Sequence, residues 1–377
     1  MKEQEIKTLP KEAFEFLNED RPLFDEAIAG KPIGFFKDAF LRLKKNKASI
    51  AAFIIIVLIA FFSAAGPSFT PYGYNDQDVE RVNMPPRIPV LEKFGIADGT
   101  RILYNNRKES LANPEKFPEG CVLGIVNEYE IRGVPMADVK VNYYAYCGQS
   151  DQYFIMGTDY LGRDLWTRLW RGARISLMIA VISVMMNILI GVVYGAIAGY
   201  YGGHVDIIMM RITEIIGAFP QVIVATLLIL FMGTGIRAIV LALIIRGWIG
   251  TAKLVRGQFL RFKDREYVLA ARVMGVRDQK LIFRHILPNS IGPVITRAMV
   301  EVPGAIFAES FLAFIGLGLQ APEPSIGVLL SDAQKVLTSY PYQTLFPAVL
   351  ISVLMISFNL FGNGLRDAFN PTMRGSD

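Results

Sequence analysis

The sequence predicts an all-α integral membrane fold of six transmembrane helices with a small β-containing extracytoplasmic insertion. The chain has 377 residues, of which 52% are hydrophobic and 19% charged, and its mean hydropathy is +0.36. A helix needs about 20 mainly apolar residues to cross a hydrocarbon core of roughly 30 Å. The candidate stretches are residues 50–65, 175–201, 215–236, 238–252, 291–319 and 345–362.

The distribution of basic residues predicts the orientation of the chain. Five lysines and arginines stand within residues 37–47, just before the first span, and the segment 251–290 before the fifth span is also strongly basic. Such an excess collects in short cytoplasmic flanks, whereas long translocated loops follow the charge rule poorly. We therefore expect both termini to be cytoplasmic.

These spans divide the chain into five predicted segments. Residues 1–47 form a cytoplasmic segment whose charged and aromatic side chains are compatible with an interfacial helix. Residues 48–66 form the first transmembrane helix, and residues 67–173 form an extracytoplasmic loop that contains the insertion. Residues 174–364 form a core with the other five helices, and residues 365–377 form a cytoplasmic tail.

The extracytoplasmic loop contains two stretches that are rich in β-branched and aromatic residues, 121–126 and 139–147. Both are predicted to be strands. Cys121 and Cys147, the two cysteines of the sequence, flank this region on the predicted oxidising side of the membrane. A disulfide between them is one hypothesis, and two unrelated buried thiols are the alternative.

The segment between the fourth and fifth spans, residues 264–289, has the pattern of two short amphipathic helices joined at Gly275. Its apolar positions are Val268, Ala271, Leu281, Ile282 and Ile286. Pro288 is expected to end the second helix because proline lacks a backbone donor. The small alanines and the glycine permit close approach to a groove on another protein. We therefore expect a helix-turn-helix that binds a partner.

The same segment resembles the coupling loop of ABC importer permeases. That pattern is Glu-Ala-Ala, three residues, Gly, nine residues, Ile, any residue, Leu-Pro, and the matching residues are Ala270, Ala271, Gly275, Leu287 and Pro288. Leu269 stands where the pattern has Glu, and His285 stands where it has Ile. Glu266 lies one turn before Ala270 and does not align with the glutamate. The resemblance implies an ATPase-coupling loop over residues 265–289, which includes Glu266 and His285.

Further stretches resemble the C-type permease subunit of oligopeptide, dipeptide and nickel importers. They are residues 157–164, 172–177, 309–319 and 364–371. Asn370 departs from that subunit's pattern, in which Asp is more usual. The resemblance covers the first span and residues 154–377, but it leaves most of the outer insertion unexplained.

This resemblance implies the type I ABC importer permease fold in a bacterial cell membrane. It also implies a heteromeric importer, in which the chain works with a second, different permease, two cytoplasmic ATPase subunits and an extracytoplasmic substrate-binding protein. ATP and Mg are then expected on the ATPase subunits, and no cofactor or metal is expected on this chain. The implied cargo is an oligopeptide or dipeptide, with nickel or another small solute as the alternative.

The fifth predicted span carries three ionisable residues, Arg297, Glu301 and Glu309. Ionisable groups at membrane depth usually face a bundle interior or a water-filled cavity, so these residues are candidates for lining the translocation pathway. The alternative is packing against the partner permease, with Arg297 and Glu301 paired and holding two helices together. Pro303 and Gly304 are expected to interrupt the helix before Glu309. Arg246 is expected to extend toward the cytoplasmic interface, without a substrate role.

Other classes of protein fit the sequence less well. The chain has no Gly-x-x-x-x-Gly-Lys-Ser/Thr loop, so any ATP hydrolysis is expected on another polypeptide and the chain is not expected to be an enzyme. Basic residues flank the spans and form no single soluble basic face, which argues against nucleic-acid binding. A self-sufficient secondary transporter is the main alternative, but it predicts related halves and leaves residues 270–288 without a role. A structural membrane scaffold is the third possibility.

Overall fold

The computed structural model describes residues 35–369, and the chain divides into a unit of residues 1–38 and a unit of residues 39–377. Most of the predicted N-terminal segment, including most of the proposed interfacial helix, lies outside the described residues. Its described part is helix α1, Phe35–Lys45, which ends on basic residues as a helix C-terminus favours.

Within residues 35–369, five helices are long and apolar enough to cross a membrane. The longer α-helices that follow α1 are α2 (Lys47–Ala65), α3 (Leu165–Tyr201), α4 (Gly203–Ala218), α5 (Gln221–Met232), α6 (Ile236–Phe262), α7 (Glu266–Val273), α8 (Leu287–Leu312), α9 (Ile326–Gln334) and α10 (Pro341–Phe369). The predicted boundary between residues 173 and 174 lies inside α3, because Asp164 caps that helix well before its apolar stretch begins.

The third predicted span, residues 215–236, is not one helix, and that prediction was wrong. It is divided between α4 and α5, which meet at an angle of 77°. Pro220 cannot donate a helical hydrogen bond, and Phe219 before it has the extended backbone (φ −72°, ψ 129°) that a following proline favours. The bent pair taken together is the sixth candidate span.

Two predicted helix breaks at proline are also absent from the structure. Leu281–Ile286 forms a π-helix that leads directly into α8, with Pro288 in the first turn of α8. The π-helix shifts the backbone hydrogen-bond register just before Pro288, which has no backbone N–H to donate. Pro303 lies inside α8, which continues through it to Leu312. Transmembrane helices tolerate such prolines because neighbouring groups satisfy the freed carbonyl.

The outer insertion is an antiparallel sheet of three strands, β1 (Thr100–Arg107), β2 (Val122–Ile131) and β3 (Val134–Asn142), in the order β1-β3-β2. The predicted strand 121–126 is confirmed as part of β2. The predicted strand 139–147 is confirmed only as far as Asn142, where β3 ends, because Tyr143–Tyr146 is helical, and β1 was not predicted. The chain leaves β3 at Asn142, whose side chain accepts hydrogen bonds from the amides of Tyr144 and Ala145 and starts a single helical turn.

Cys121 and Cys147 do not form a disulfide, and both thiols are free. Cys121 is buried in an apolar cluster with Phe117 and Val139 on the sheet, whereas Cys147 packs against a separate cluster that contains Tyr144. Burial raises the pKa of both thiols, which lowers their reactivity as thiolates. The alternative of two unrelated thiols describes this structure.

Candidate functional site

The loop between α6 and α8 folds into the two helical pieces that its sequence predicts. Helix α7 ends at Val273, and Gly275 follows in the left-handed region at φ +78°. The amide of Gly275 donates to the carbonyl of Arg272 at 2.9 Å, and the amide of Val276 donates to that of Ala271 at 3.2 Å. These bonds satisfy the last carbonyls of α7, and glycine adopts the required backbone at low cost. The predicted joint at Gly275 is confirmed.

One face of this loop is anchored to the rest of the chain. Its members, called the inner face, are all buried: Val268, Ala271, Leu281, Ile282 and Ile286. They pack in one apolar cluster with Val255 and Phe259 of α6 and with Ala196 and Tyr200 of α3. The predicted amphipathic pattern is therefore confirmed, and the loop is fixed to the ends of two long helices.

Polar contacts reinforce this anchoring. The Tyr200 hydroxyl donates to Asp278 Oδ1 at 2.6 Å. Asn289 Nδ2 donates to the carbonyl of His285 at 2.7 Å and to the Tyr267 hydroxyl at 3.3 Å. Tyr267 thus joins α7 to the start of α8. Sequence reasoning missed Tyr200, Tyr267 and Asn289, since their partners depend on the fold.

The opposite side of α7 is exposed although it carries large apolar residues. The outer face is formed by Leu269, Val273 and Met274, whose exposed fractions are 41%, 90% and 76%. Leu269 and Val273 are one turn apart and therefore share a side of the helix. This exposed apolar surface is available to a partner protein. Sequence reasoning missed Val273 and Met274, which could have been found as apolar residues on the polar side of α7.

The other predicted residues of the coupling loop differ in how exposed they are. Glu266 and Ala270 are exposed, and His285 is half-buried. Leu287 packs against the inner cluster, while Pro288 is exposed. Apart from its two chain neighbours, no atom of residues 35–369 lies within 4 Å of a Cβ placed on Gly275, so that glycine faces open space. The loop therefore offers a partner both a small open turn and an apolar surface.

Close packing of α3 on α6 gives the loop a rigid base. Gly191, Gly195 and Gly199 recur along α3, and a Cβ on any of them would collide with α6. At Gly199 that Cβ would lie 2.6 Å from Cβ of Phe259, a member of the inner cluster. Small residues at this spacing let membrane helices approach backbone to backbone. A displacement of the loop is therefore passed to α3 and α6 together.

Two of the predicted pathway residues form the expected ion pair. Arg297 Nε lies 2.7 Å from Glu301 Oε1, which also accepts a hydrogen bond from the Thr251 hydroxyl of α6 at 3.2 Å. The pair therefore links α8 to α6, as its structural interpretation predicts. Their role in lining a pathway stays a prediction.

Glu309 does not fit a lining role in this structure. Its side chain is fully buried, and Ser176 Oγ of α3 donates to Glu309 Oε2 at 2.9 Å. The same Ser176 oxygen accepts from the amide of Ile326 at 3.2 Å. Glu309 thus helps to hold α3, α8 and the start of α9 together. The sequence could not show this burial, because Ser176 lies 133 residues before Glu309 in the chain.

The outer motif 157–164 is a structural joint between helices. Asp164 accepts hydrogen bonds from the amide of Thr167 at 3.0 Å and from its hydroxyl at 2.6 Å, which caps α3. The carbonyl of Thr158 accepts from Gln343 Nε2 and from the Tyr342 hydroxyl, each at 3.1 Å, at the start of α10. The motif therefore fixes the N-terminal ends of α3 and α10 to each other.

Replacing Asp164 by alanine is expected to destabilise the protein by about 1 kcal/mol, because α3 loses its cap, whereas Asp164→Asn keeps an acceptor.

Burial raises the pKa of the Asp164 carboxyl above its ordinary 3.8, and hydrogen bonds from Thr167 offset part of that rise. The folded chain then holds the proton more tightly, so stability falls as the pH rises from 3.8 through the raised pKa. Apparent Tm against pH in detergent should show this fall in the parent chain and a weaker fall in Asp164→Asn; identical profiles would contradict it.

Comparison with known proteins decides the family. The profile described as the inner membrane component of binding-protein-dependent transport systems matches residues 191–375, and that of the N-terminal transmembrane domain of oligopeptide transport permease C matches residues 34–86. The dipeptide transport system permease protein DppC of Bacillus subtilis is 35% identical over 359 residues, 95% of this chain and 92% of that protein. This chain belongs to the family of binding-protein-dependent transport permeases.

Other permeases of this family are similar over nearly the whole chain. The oligopeptide permease OppC of Bacillus subtilis is 35% identical over 93% of each chain, and OppC of Escherichia coli K12 is 35% identical over 93% of this chain and 96% of its own. This permease is therefore homologous to oligopeptide and dipeptide ABC permease subunits, and it is a multi-pass inner membrane protein. A chain of the MetNI methionine ABC transporter, solved in an inward-facing conformation, gives a TM-score of 0.45 at 18% identity over 54% of this chain and 96% of that one. That similarity adds nothing to the family assignment.

Proposed function

We propose that this permease forms half of the translocation pathway of an ATP-driven importer for oligopeptides or dipeptides. The cargo is supported by the relatives, which are named as peptide permeases and align over more than nine tenths of the chain. The observation that carries the mechanism is the loop before α8, whose inner face is anchored to α3 and α6 while its outer face is exposed.

The buried inner face and the exposed outer face of the loop indicate which partners the permease needs. The outer face seats on one of two cytoplasmic ATPase subunits, which hold ATP and Mg, because this sequence has no phosphate-binding loop of its own. A second, different permease completes the pathway, and an extracytoplasmic binding protein delivers the peptide. Closure of the ATPases moves the loop, and the packed glycines of α3 transmit this motion to the membrane helices.

The proposal fixes the orientation of the chain. The loop must face the cytoplasm, so both termini are cytoplasmic and the sheet of β1, β2 and β3 lies outside. A self-sufficient secondary transporter would leave the exposed apolar outer face in water without a partner, which is unfavourable.

Replacing Val273 by aspartate is expected to lower ATP-dependent peptide uptake at least about tenfold, because a charge would be buried at the ATPase contact. The measurement is uptake of a labelled peptide into proteoliposomes that contain the whole complex, together with the amount of ATPase that co-purifies. Val79→Asp is the matched control, since both valines are 90% exposed in this chain and Val79 lies in the outer loop. Full uptake and full ATPase recovery with Val273→Asp would refute the proposed role of this loop.

A further inference from the structure

A cavity of about 520 Å³ lies between α4 and α6, and no residue of the loop lines it. Its wall includes Arg246 and Lys253 of α6 and Thr213 and Glu214 of α4. Small residues face it as well, among them Gly217 and Gly250. Its size falls in the range of about 300–1,000 Å³ that holds small ligands in proteins.

Arg246 lies inside the fourth predicted span, and Lys253 lies just beyond the end of that span at residue 252. Arg246 follows the start of α6 at Ile236 by ten residues, which is about 15 Å along a helix axis and near the middle of the hydrocarbon core. Lys253 follows two turns later on the same helix. The side chain of Arg246 is half-buried and lines the cavity, whereas the sequence interpretation expected it to extend to the cytoplasmic interface.

The described residues do not balance the charge of these two residues. Among residues 35–369, neither Arg246 nor Lys253 has a carboxylate within ion-pair distance. Glu214, the acidic residue of the wall, is paired with Arg211 at 2.7 Å. Cations at membrane depth are costly unless they are paired or serve a passing substrate. The cavity therefore has an excess of positive charge that calls for an anion.

We propose that Arg246, assisted by Lys253, binds the C-terminal carboxylate of the peptide cargo as it crosses the membrane. This inference rests on the proposed function, because it names the part of the cargo that this permease recognises. A guanidinium presents parallel N–H donors that match a carboxylate, and the second cation adds a point charge beside it. The C-terminal carboxylate is the one acidic group that every unmodified peptide carries, so this contact is independent of peptide sequence.

The test compares one peptide as its free acid and as its C-terminal amide. Uptake of each is measured in proteoliposomes that contain the whole complex, with both peptides at concentrations that saturate the binding protein. The ratio of variant to parent uptake is then taken for each peptide, so that the preference of the binding protein cancels. Arg246→Gln removes the charge, and Arg246→Lys is the matched control that keeps it.

We expect Arg246→Gln to lower uptake of the free acid about tenfold more than uptake of the amide, as the loss of a charged hydrogen bond implies. Arg246→Lys keeps the positive charge, so it should give a smaller difference between the free acid and the amide than Arg246→Gln does. An equal loss for both peptides would overturn the inference and indicate that Arg246 pairs with an acidic residue of the second permease; no loss for either peptide would also overturn it.

A second variant keeps the test valid if Arg246→Gln fails to assemble. Lys253 is exposed, and Lys253→Gln is expected to shift the ratio of free-acid to amide uptake in the same direction by a smaller factor. An unchanged ratio with Lys253→Gln would then overturn the inference. If the parent complex imports neither peptide with ATP, the proposed function itself fails, and this result is distinct from the others.

Discussion

Replacing Gly275 by tryptophan is expected to abolish ATP-driven uptake while the permease still folds and inserts. Beyond the two neighbouring residues, no atom of the described residues lies within 4 Å of the Cβ position, so the side chain starts in open space and projects toward the partner. A bulky group at the open turn would hold the ATPase away from the outer face. Loss of a well-packed contact of this kind costs several kcal/mol in protein interfaces.

The control for this prediction is Gly275→Ala. Both variants force a side chain into the left-handed backbone at φ +78°, which costs roughly 1–2 kcal/mol. Only tryptophan adds bulk, so the difference between the two variants isolates docking from backbone strain. The measurements are uptake in proteoliposomes and recovery of the ATPase with the permease. Equal losses for the two variants would assign the effect to strain, and full uptake with tryptophan would reject the loop as the coupling element.

The second large effect is expected at Gly195. A Cβ at this position would collide with the carbonyl oxygen of Ala252, which is backbone and cannot rotate away. Gly195→Leu should therefore separate α3 from α6 and destabilise the folded chain by about 3 kcal/mol or more. The expected result is loss of the monodisperse peak in size-exclusion chromatography and rapid proteolysis in the loop before α8.

Gly257 on α6 provides the comparison for Gly195. Apart from the adjacent backbone of α6, nothing in the described part of the chain lies within 4 Å of a Cβ placed there, so Gly257→Leu should be tolerated, and leucine favours a helix over glycine. If Gly195→Leu yields as much folded protein as Gly257→Leu, the close packing of α3 on α6 does not support the loop.

The inner face of the loop could be predicted from sequence because burial against one side of a helix leaves a periodic apolar pattern. The bend between α4 and α5 could not be found in the same way, since apolar residues run through Phe219 and only the backbone chemistry of Pro220 interrupts the helix. Strand β1 was missed for a related reason. It contains polar residues and Asn105, whose positive φ accompanies an irregular register with β3, so it lacks clean alternation.

Site residues that depend on distant segments were beyond the reach of the sequence. Glu309 looked like a pathway residue, but its side chain is buried and accepts a hydrogen bond from Ser176 of α3. Ser176 lies more than 130 residues earlier in the chain. Arg246 looked like an interfacial residue until α4 supplied the opposite wall of the cavity. The outer face of α7 was overlooked because its apolar residues interrupt, and do not repeat, the amphipathic pattern. Sequence periodicity reports contacts within this chain, and contacts with partners leave no such period.

Energy coupling in the proposed importer requires that an ATPase in the cytoplasm binds the outer face of α7. The most direct measurement places a cysteine at Met274, in a chain whose two native cysteines are replaced by serine, and applies a membrane-impermeant maleimide. We expect labelling in inside-out vesicles stripped of ATPase, protection when the ATPase subunits are restored, and none in intact spheroplasts, where a cysteine at Val79 should react. If Met274→Cys is labelled in intact spheroplasts, the loop is not cytoplasmic. If it is labelled without protection in the complete complex, the ATPase does not bind this face. Either result would contradict the proposed coupling.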